Sequence, residues 1–145
     1  MSVDIKITDL IPHRPPFLWV DSLLEHDNAS LSSEKYIPED LEIFQGHYPD
    51  HPILPGVILC EALFQSGALL IALLLKDSEE PEPGVPVITR IENVKFKRPV
   101  GPGDTIRMHI SLKETLGRAW FLKGVLRVRE KVAVQLNFAC TLAEL

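Results

Sequence analysis

A stretch near the middle of the chain holds the residues best suited to acid–base chemistry. Residues 44–67 read FQGHYPDHPILPGVILCEALFQSG, which puts His47 in a proline-rich loop and Glu61 in an apolar segment. An imidazole can remove a proton from carbon, and a carboxylic acid can give a proton to a leaving hydroxyl. Together these two groups suit the loss of water across neighbouring carbons, as in a 3-hydroxyacyl compound.

The segment between the two groups predicts how they are held. Three prolines stiffen the loop, because the proline ring fixes the backbone angle φ. Gly56 then opens a predicted helix, where its N–H has no intrahelical partner and the helix dipole adds positive potential. We expect this amide to bind a carbonyl oxygen that gains negative charge during the reaction.

Apolar neighbours set the expected state of Glu61. They occupy positions 57–59, 62 and 63. Because burial disfavours a charged carboxylate, we expect Glu61 to be protonated and to act as a general acid. Gln65 lies four residues further on, on the same helix face, and can orient that carboxyl group.

Each of these residues also has a more ordinary interpretation. A loop histidine is usually a solvated or hydrogen-bonded residue, and a glutamate near a helix start often only complements the helix dipole. A metal site at His47 and His51 would need their i, i+4 spacing to lie on a helix. Pro49 and Pro52 disfavour a helix there, so we expect no metal at this site.

Length and composition limit the class of protein. The chain has 145 residues, which suits a single domain over residues 1–145, and its net charge of −5 disfavours non-specific nucleic-acid binding. The first ten residues show no secretory signal, and the longest unbroken apolar run, residues 68–75, is too short to span a bilayer. Cys60 and Cys140 lie in apolar segments, which predicts buried reduced thiols. These features predict a soluble cytoplasmic protein without a membrane partner.

The hydrophobic pattern predicts an α+β fold. We expect a short helix over residues 5–10, one long buried helix over residues 57–75, and a polar loop over residues 76–84. His109 falls between apolar positions, which predicts a solvated side chain on an outward face. Strands are expected at residues 17–26, 30–37, 106–112, 120–128 and 132–142. The expected architecture is an antiparallel sheet wrapped around one central helix.

Three segments together resemble a known enzyme family. They are residues 12–21 (PHRPPFLWVD), residues 44–65 and residues 91–104 (IENVKFKRPVGPGD), in an order and spacing that span nearly the whole chain. In these features the sequence resembles the 3-hydroxyacyl-[acyl-carrier-protein] dehydratases of fatty-acid biosynthesis, which have the hot-dog fold. The resemblance implies dehydration of a 3-hydroxyacyl group to a trans-2-enoyl group.

The resemblance also implies a role for each site residue. His47 matches the catalytic histidine and Glu61 matches the catalytic acid. Gly56 matches the amide that binds the thioester carbonyl, and Gln65 matches a residue that supports the acid. A sister branch, the dehydratase-isomerases, has aspartate where this chain has glutamate, so the resemblance favours the plain dehydratase.

Partners and assembly are implied in the same way. The substrate is carried on the phosphopantetheine arm of acyl carrier protein, and no other cofactor is implied. Two basic clusters are candidates for docking the acidic carrier: Lys95, Lys97 and Arg98, and Arg127, Arg129 and Lys131. The family forms homodimers, often grouped into homohexamers, with the histidine of one subunit facing the acid of the other. Two alternatives stay open: an acyl thioesterase on the same fold, and a non-catalytic acyl-binding protein.

Overall fold

Alternating apolar and polar residues form strands that pair into one antiparallel sheet. In the computed structural model, which describes residues 5–79 and 83–145, this sheet has six strands in the order β1-β2-β4-β5-β6-β3. All neighbouring strands run antiparallel. The strands are β1 Ser22–His26, β2 Ser30–Tyr36, β3 Val85–Phe96, β4 Thr105–Leu116, β5 Ala119–Val128 and β6 Lys131–Ala143.

The long helix α2, Gly56–Lys76, packs against strands β2 to β6 and lies within one residue of its predicted bounds at each end. A 3-10 turn at Ile7–Asp9 and a short helix α1 at Ile43–Gly46 precede it. Within the described ranges, α2 is the one helix long and apolar enough to cross a membrane. However, 67% of its apolar window is buried inside the protein, as in the core helix of a folded domain.

Close contacts fix α2 on the sheet. A Cβ atom on Gly67 would lie 2.6 Å from Cζ of Phe138, so only glycine lets the helix backbone come this near the ring. One residue earlier, the hydroxyl of Ser66 donates to the carbonyl of Ala62 at 2.8 Å and lies 2.7 Å from the hydroxyl of Ser33 on β2. These contacts hold the helix in one position relative to the strands.

Strand β3 forms one edge of the sheet, with β6 as its neighbour. Most of its residues are exposed, including the large apolar side chains Ile88, Ile91, Val94 and Phe96. An edge strand with an apolar surface is a template for pairing with another chain.

The structure corrects the predicted first strand. Residues 17–21 are irregular, and β1 begins only at Ser22. The side chain of Gln65 provides the reason, because it bonds the carbonyl of Phe17 and the N–H of Trp19. These are backbone groups that a neighbouring strand would otherwise use.

Two other local expectations need adjustment. The predicted helix over residues 5–10 is a single 3-10 turn, Ile7–Asp9. Of the polar loop predicted over residues 76–84, residue 76 belongs to α2 and residues 80–82 lie outside the described residues.

The predicted outward face of His109 is right, since Met108 and Ile110 on either side are buried, but the side chain is less solvated than expected. Its side chain is half-buried, and its Nδ1 lies 2.9 Å from the hydroxyl of Ser32. The cause is strand register, since His109 on β4 pairs directly with Ser32 on β2. Alternation along one strand gives the face of a residue but does not identify its cross-strand partner.

Candidate active site

His47 is held in a tautomer that suits a general base. It follows directly after α1, and its Nδ1 lies 2.9 Å from the carbonyl oxygen of Ile53 in the proline-rich loop. A carbonyl oxygen only accepts hydrogen bonds, so Nδ1 carries the proton and donates. In the neutral ring this leaves the Nε2 lone pair free to accept a proton.

A mostly apolar cleft of about 600 Å³ lies beside His47. Phe17 and Trp19 are among its lining residues, and their rings meet edge to face with centroids 6.2 Å apart. Ile43 and Ile58 add aliphatic surface. A cleft of this size and polarity suits the acyl part of a thioester.

Glu61 is fixed through one of its two carboxylate oxygens. The side-chain amide of Gln65 donates to Oε2 at 2.8 Å. Gln65 is fully buried, and its Oε1 accepts from the N–H of Trp19 at 2.7 Å while its Nε2 also donates to the carbonyl of Phe17 at 2.9 Å. The backbone groups of Trp19 and Phe17 therefore determine which way the Gln65 amide points. In that orientation its NH₂ group faces Glu61, and the predicted contact between Gln65 and Glu61 is confirmed.

The surroundings of Glu61 differ from the apolar site that we predicted. Its side chain is 22% exposed, and a second polar group, Nε2 of His13, lies 3.6 Å from Oε2. Of the flanking apolar residues, Leu59, Ala62 and Leu63 are buried in the core, whereas Val57 is exposed and Ile58 lines the cleft beside His47, because a helix spreads successive residues around its axis. Residues next to Glu61 in sequence do not all surround its carboxyl group, so the prediction made that environment too apolar.

Gly56 is the first residue of α2, directly after the N-cap residue Pro55. The N–H groups of Ile58 and Leu59 both donate to the carbonyl of Pro55. A Cβ atom on Gly56 would lie 2.7 Å from Cε1 of Phe96. The absent side chain lets the Phe96 ring pack against a helix start whose first amides lack intrahelical partners.

Among the described residues, no hydrogen bond or ion pair joins the predicted base to the predicted acid. His47 bonds Ile53, whereas Glu61 contacts Gln65 and His13. The cleft beside His47 is lined by Ile58 of α2 and not by Glu61. Within the described part of one chain the two groups are linked only indirectly, since Gln65 bonds both Glu61 and the backbone of Phe17 and Trp19 in the cleft lining.

Sequence reasoning missed two polar groups near the site. Nδ1 of His13 and the indole N–H of Trp19 are buried without a hydrogen-bond partner among the described residues. Both residues belong to the segment PHRPPFLWVD, residues 12–21. That segment supported the family resemblance, but its polar side chains had received no role.

Comparison with known proteins identifies the family of this chain. The family model for the ApeI dehydratase matches residues 24–136. A 3-hydroxyacyl-[acyl-carrier-protein] dehydratase FabZ from Gluconobacter oxydans is 39% identical over 95% of this chain and 82% of its own length. The FabZ dehydratase of Rickettsia bellii is 35% identical over 99% of both chains. The chain belongs to this dehydratase family.

Solved structures confirm the predicted hot-dog fold. The dehydratase heterocomplex ApeI:P from Xenorhabdus doucetiae superposes with a TM-score of 0.82 at 12% identity, over 97% of this chain and 92% of that one. A hypothetical thioesterase protein with coenzyme A from Streptococcus pneumoniae gives a TM-score of 0.66 at 8% identity, over 84% of each chain. At such low identities these likenesses concern the fold, which dehydratases and thioesterases share.

Proposed function

We propose that the protein dehydrates 3-hydroxyacyl-[acyl-carrier-protein] to trans-2-enoyl-[acyl-carrier-protein] in fatty-acid biosynthesis. The observation that carries the proposal is the tautomer of His47, whose Nδ1–H is committed to the carbonyl of Ile53. A base with a free Nε2 is what removal of a carbon-bound proton requires. Membership of the dehydratase family supplies the class of substrate.

The proposed reaction assigns a step to each residue. Nε2 of His47 takes the proton from C2, and the electrons move towards the thioester carbonyl. The amide of Gly56 stabilises the negative charge on that carbonyl oxygen. Glu61 then gives its proton to the C3 hydroxyl, the C–O bond breaks, and water leaves as the C2–C3 double bond forms.

No redox change occurs in this reaction, so it needs no cofactor beyond the phosphopantetheine arm that carries the acyl group.

One basic cluster supports docking of the acidic carrier protein. Lys95, Lys97 and Arg98 are exposed and flank Phe96, which covers Gly56 at the start of α2. In the other cluster, Arg129 is already paired with Asp104 at 2.6 Å. The cluster around Phe96 is therefore the stronger candidate for carrier docking.

A homodimer fits the exposed edge of β3. Pairing of two β3 strands would satisfy their free backbone groups and cover Ile91 and Val94. In such a dimer we place His47 of one subunit against Glu61 of the other, because no hydrogen bond or ion pair joins the two residues within the described part of one chain. We also propose that the dimers associate into hexamers. We place the protein in the cytoplasm, without membrane or nucleic-acid partners.

The first experiment tests the catalytic pair. We expect His47→Ala and Glu61→Gln each to lower kcat by about 10²–10⁴-fold while the melting temperature stays close to wild type. Products of a 3-hydroxyacyl-carrier substrate are resolved chromatographically. Interconversion with the enoyl form supports a dehydratase, free acid and free thiol indicate a thioesterase, and no turnover indicates an acyl-binding protein. Near wild-type turnover by either variant removes that residue from the mechanism.

The second experiment tests the shared site. The two inactive variants are mixed and allowed to exchange subunits. With random pairing, about half of the dimers are mixed, and each mixed dimer has one intact site out of two. We therefore expect recovery of about a quarter of wild-type activity. An active monomer by light scattering, or no recovery despite exchange proven by mass spectrometry, contradicts the shared site.

A further inference from the structure

The loop that carries His13 is tied down by its neighbour. The guanidinium of Arg14 donates to the carbonyl oxygens of Thr8, Ile11 and His13 at 3.0, 2.9 and 2.7 Å. Three bonds from one planar group leave the backbone little freedom. The position of the His13 ring next to α2 is therefore built into the fold.

His13 and Gln65 approach the same oxygen of Glu61. The Gln65 amide donates to Oε2 at 2.8 Å, and Nε2 of His13 lies 3.6 Å from that same oxygen. No hydrogen bond reaches Oε1 from any described residue. The 3.6 Å separation exceeds a hydrogen bond, but contacts of this kind often shorten once substrate fills an active site.

The buried side of the ring decides between the two neutral tautomers. Nδ1 of His13 has no hydrogen-bond partner among the described residues and is shielded from water. A proton on Nδ1 would be a buried unpaired donor, and the Nε2 lone pair would then face the oxygen of Glu61. A proton on Nε2 points a donor at Oε2 and leaves Nδ1 as an unpaired acceptor, without a lone pair facing Glu61.

We propose that His13 is a positioning residue that, with Gln65, occupies Oε2 of Glu61 and leaves Oε1 to deliver the proton to the departing hydroxyl. The inference rests on the proposed role of Glu61 as the acid. If both donors hold Oε2, the proton of the neutral carboxyl stays on Oε1, the oxygen without a protein partner. Without His13 the carboxyl can rotate and carry its proton on the wrong oxygen.

A matched pair of variants tests this role. In His13→Gln the side-chain amide falls near the position of the imidazole Nε2 and can still donate to Oε2. In His13→Asn the amide falls near Nδ1 and cannot reach. We expect His13→Asn to lower kcat about tenfold with little change in KM, and His13→Gln to retain most of kcat. Melting temperatures of both proteins are measured alongside, and a loss of kcat in both variants equally would overturn the proposal.

A substrate with a different leaving group distinguishes a positioning role of His13 from a general structural defect in the His13 variants. The same variants are assayed with a 3-chloroacyl thioester, after subtraction of the uncatalysed rate. Chloride leaves without a proton, so the need for an acid disappears while His47 still removes the C2 proton. We expect His13→Asn and Glu61→Gln to approach wild-type kcat on this substrate, and His47→Ala to stay impaired. An equal deficit of His13→Asn on both substrates would overturn the positioning role.

Failure of this inference differs from failure of the proposed function. If Glu61→Gln is impaired on the hydroxyacyl substrate and His13→Asn is normal, the inference fails alone. If Glu61→Gln is itself normal, both fail, because His13 then has no acid to position.

Discussion

Gln65 joins the fold to the site, and its replacement should damage both. Its side chain is fully buried and makes three hydrogen bonds: from the N–H of Trp19, to the carbonyl of Phe17 and to Glu61. Leucine has nearly the same size but neither donates nor accepts. Gln65→Leu therefore removes all three bonds without opening a large cavity.

The cost can be worked out from the groups left behind. An unpaired buried donor such as the N–H of Trp19 costs about 1–3 kcal/mol, and the part-buried carbonyl of Phe17 adds about 1 kcal/mol. The apolar surface of leucine returns about 1 kcal/mol. The net loss of about 1–3 kcal/mol lowers Tm by roughly 2–12 °C for a domain of this size. Loss of the hydrogen bond from Gln65 to Glu61 should also lower kcat by about ten- to hundredfold.

Ser66→Ala is the matched control. Ser66 is equally buried, stands next to Gln65 on α2 and bonds Ser33 and Ala62 rather than any site residue. We expect it to cost about 1 kcal/mol and to leave kcat unchanged. Stability is measured by urea unfolding at one fixed protein concentration, since oligomers couple stability to concentration. Turnover is followed by the ultraviolet absorbance of the enoyl thioester.

Two outcomes would refute this reasoning. If Gln65→Leu unfolds at the same urea concentration as wild type, the backbone of residues 17–19 does not depend on this side chain. If it loses stability as expected but keeps wild-type kcat, Glu61 does not need its amide partner, and the site must be organised in another way.

Two further predictions concern the start of α2 and the thiols. Gly56→Val should abolish activity with little change in Tm, because the Phe96 ring that a Cβ would strike is 57% exposed and can move aside; normal kinetics would exclude the amide from carbonyl binding. Burial raises the pKa of Cys140 to about 12 and also raises the pKa of Cys60. Both thiols should therefore resist Ellman's reagent at pH 8 in the folded protein and react in guanidinium; fast reaction when folded would show that they are accessible.

The parts that could be predicted from sequence rest on local periodicity. The apolar run after Pro55 gave α2 within one residue at each end, and the period-two segments gave β4, β5 and β6. The contact between Glu61 and Gln65 followed from i, i+4 spacing on a helix, which fixes side-chain neighbours without knowledge of the rest of the fold.

The parts that were missed depend on contacts between distant segments. Residues 17–21 have strand-like composition, yet Gln65, more than forty positions away, captures their backbone groups. The partner of His109 is set by the register between β2 and β4. His13 reaches Glu61 only because the N-terminal loop folds against α2. No pattern within one segment contains this information.

The exposed apolar surface reaches the start of α2, where we place the carbonyl-binding amide. Phe96, at the end of the edge strand β3, lies over Gly56, and the next residue of α2, Val57, is 72% exposed. A large apolar side chain at the start of an otherwise buried helix is costly to leave in water. The same covering would exclude water from the Gly56 amide, where a low dielectric strengthens its interaction with a charged oxygen. A second subunit paired along β3 would provide that covering, so the contact that stabilises the sheet edge would also prepare the site for catalysis.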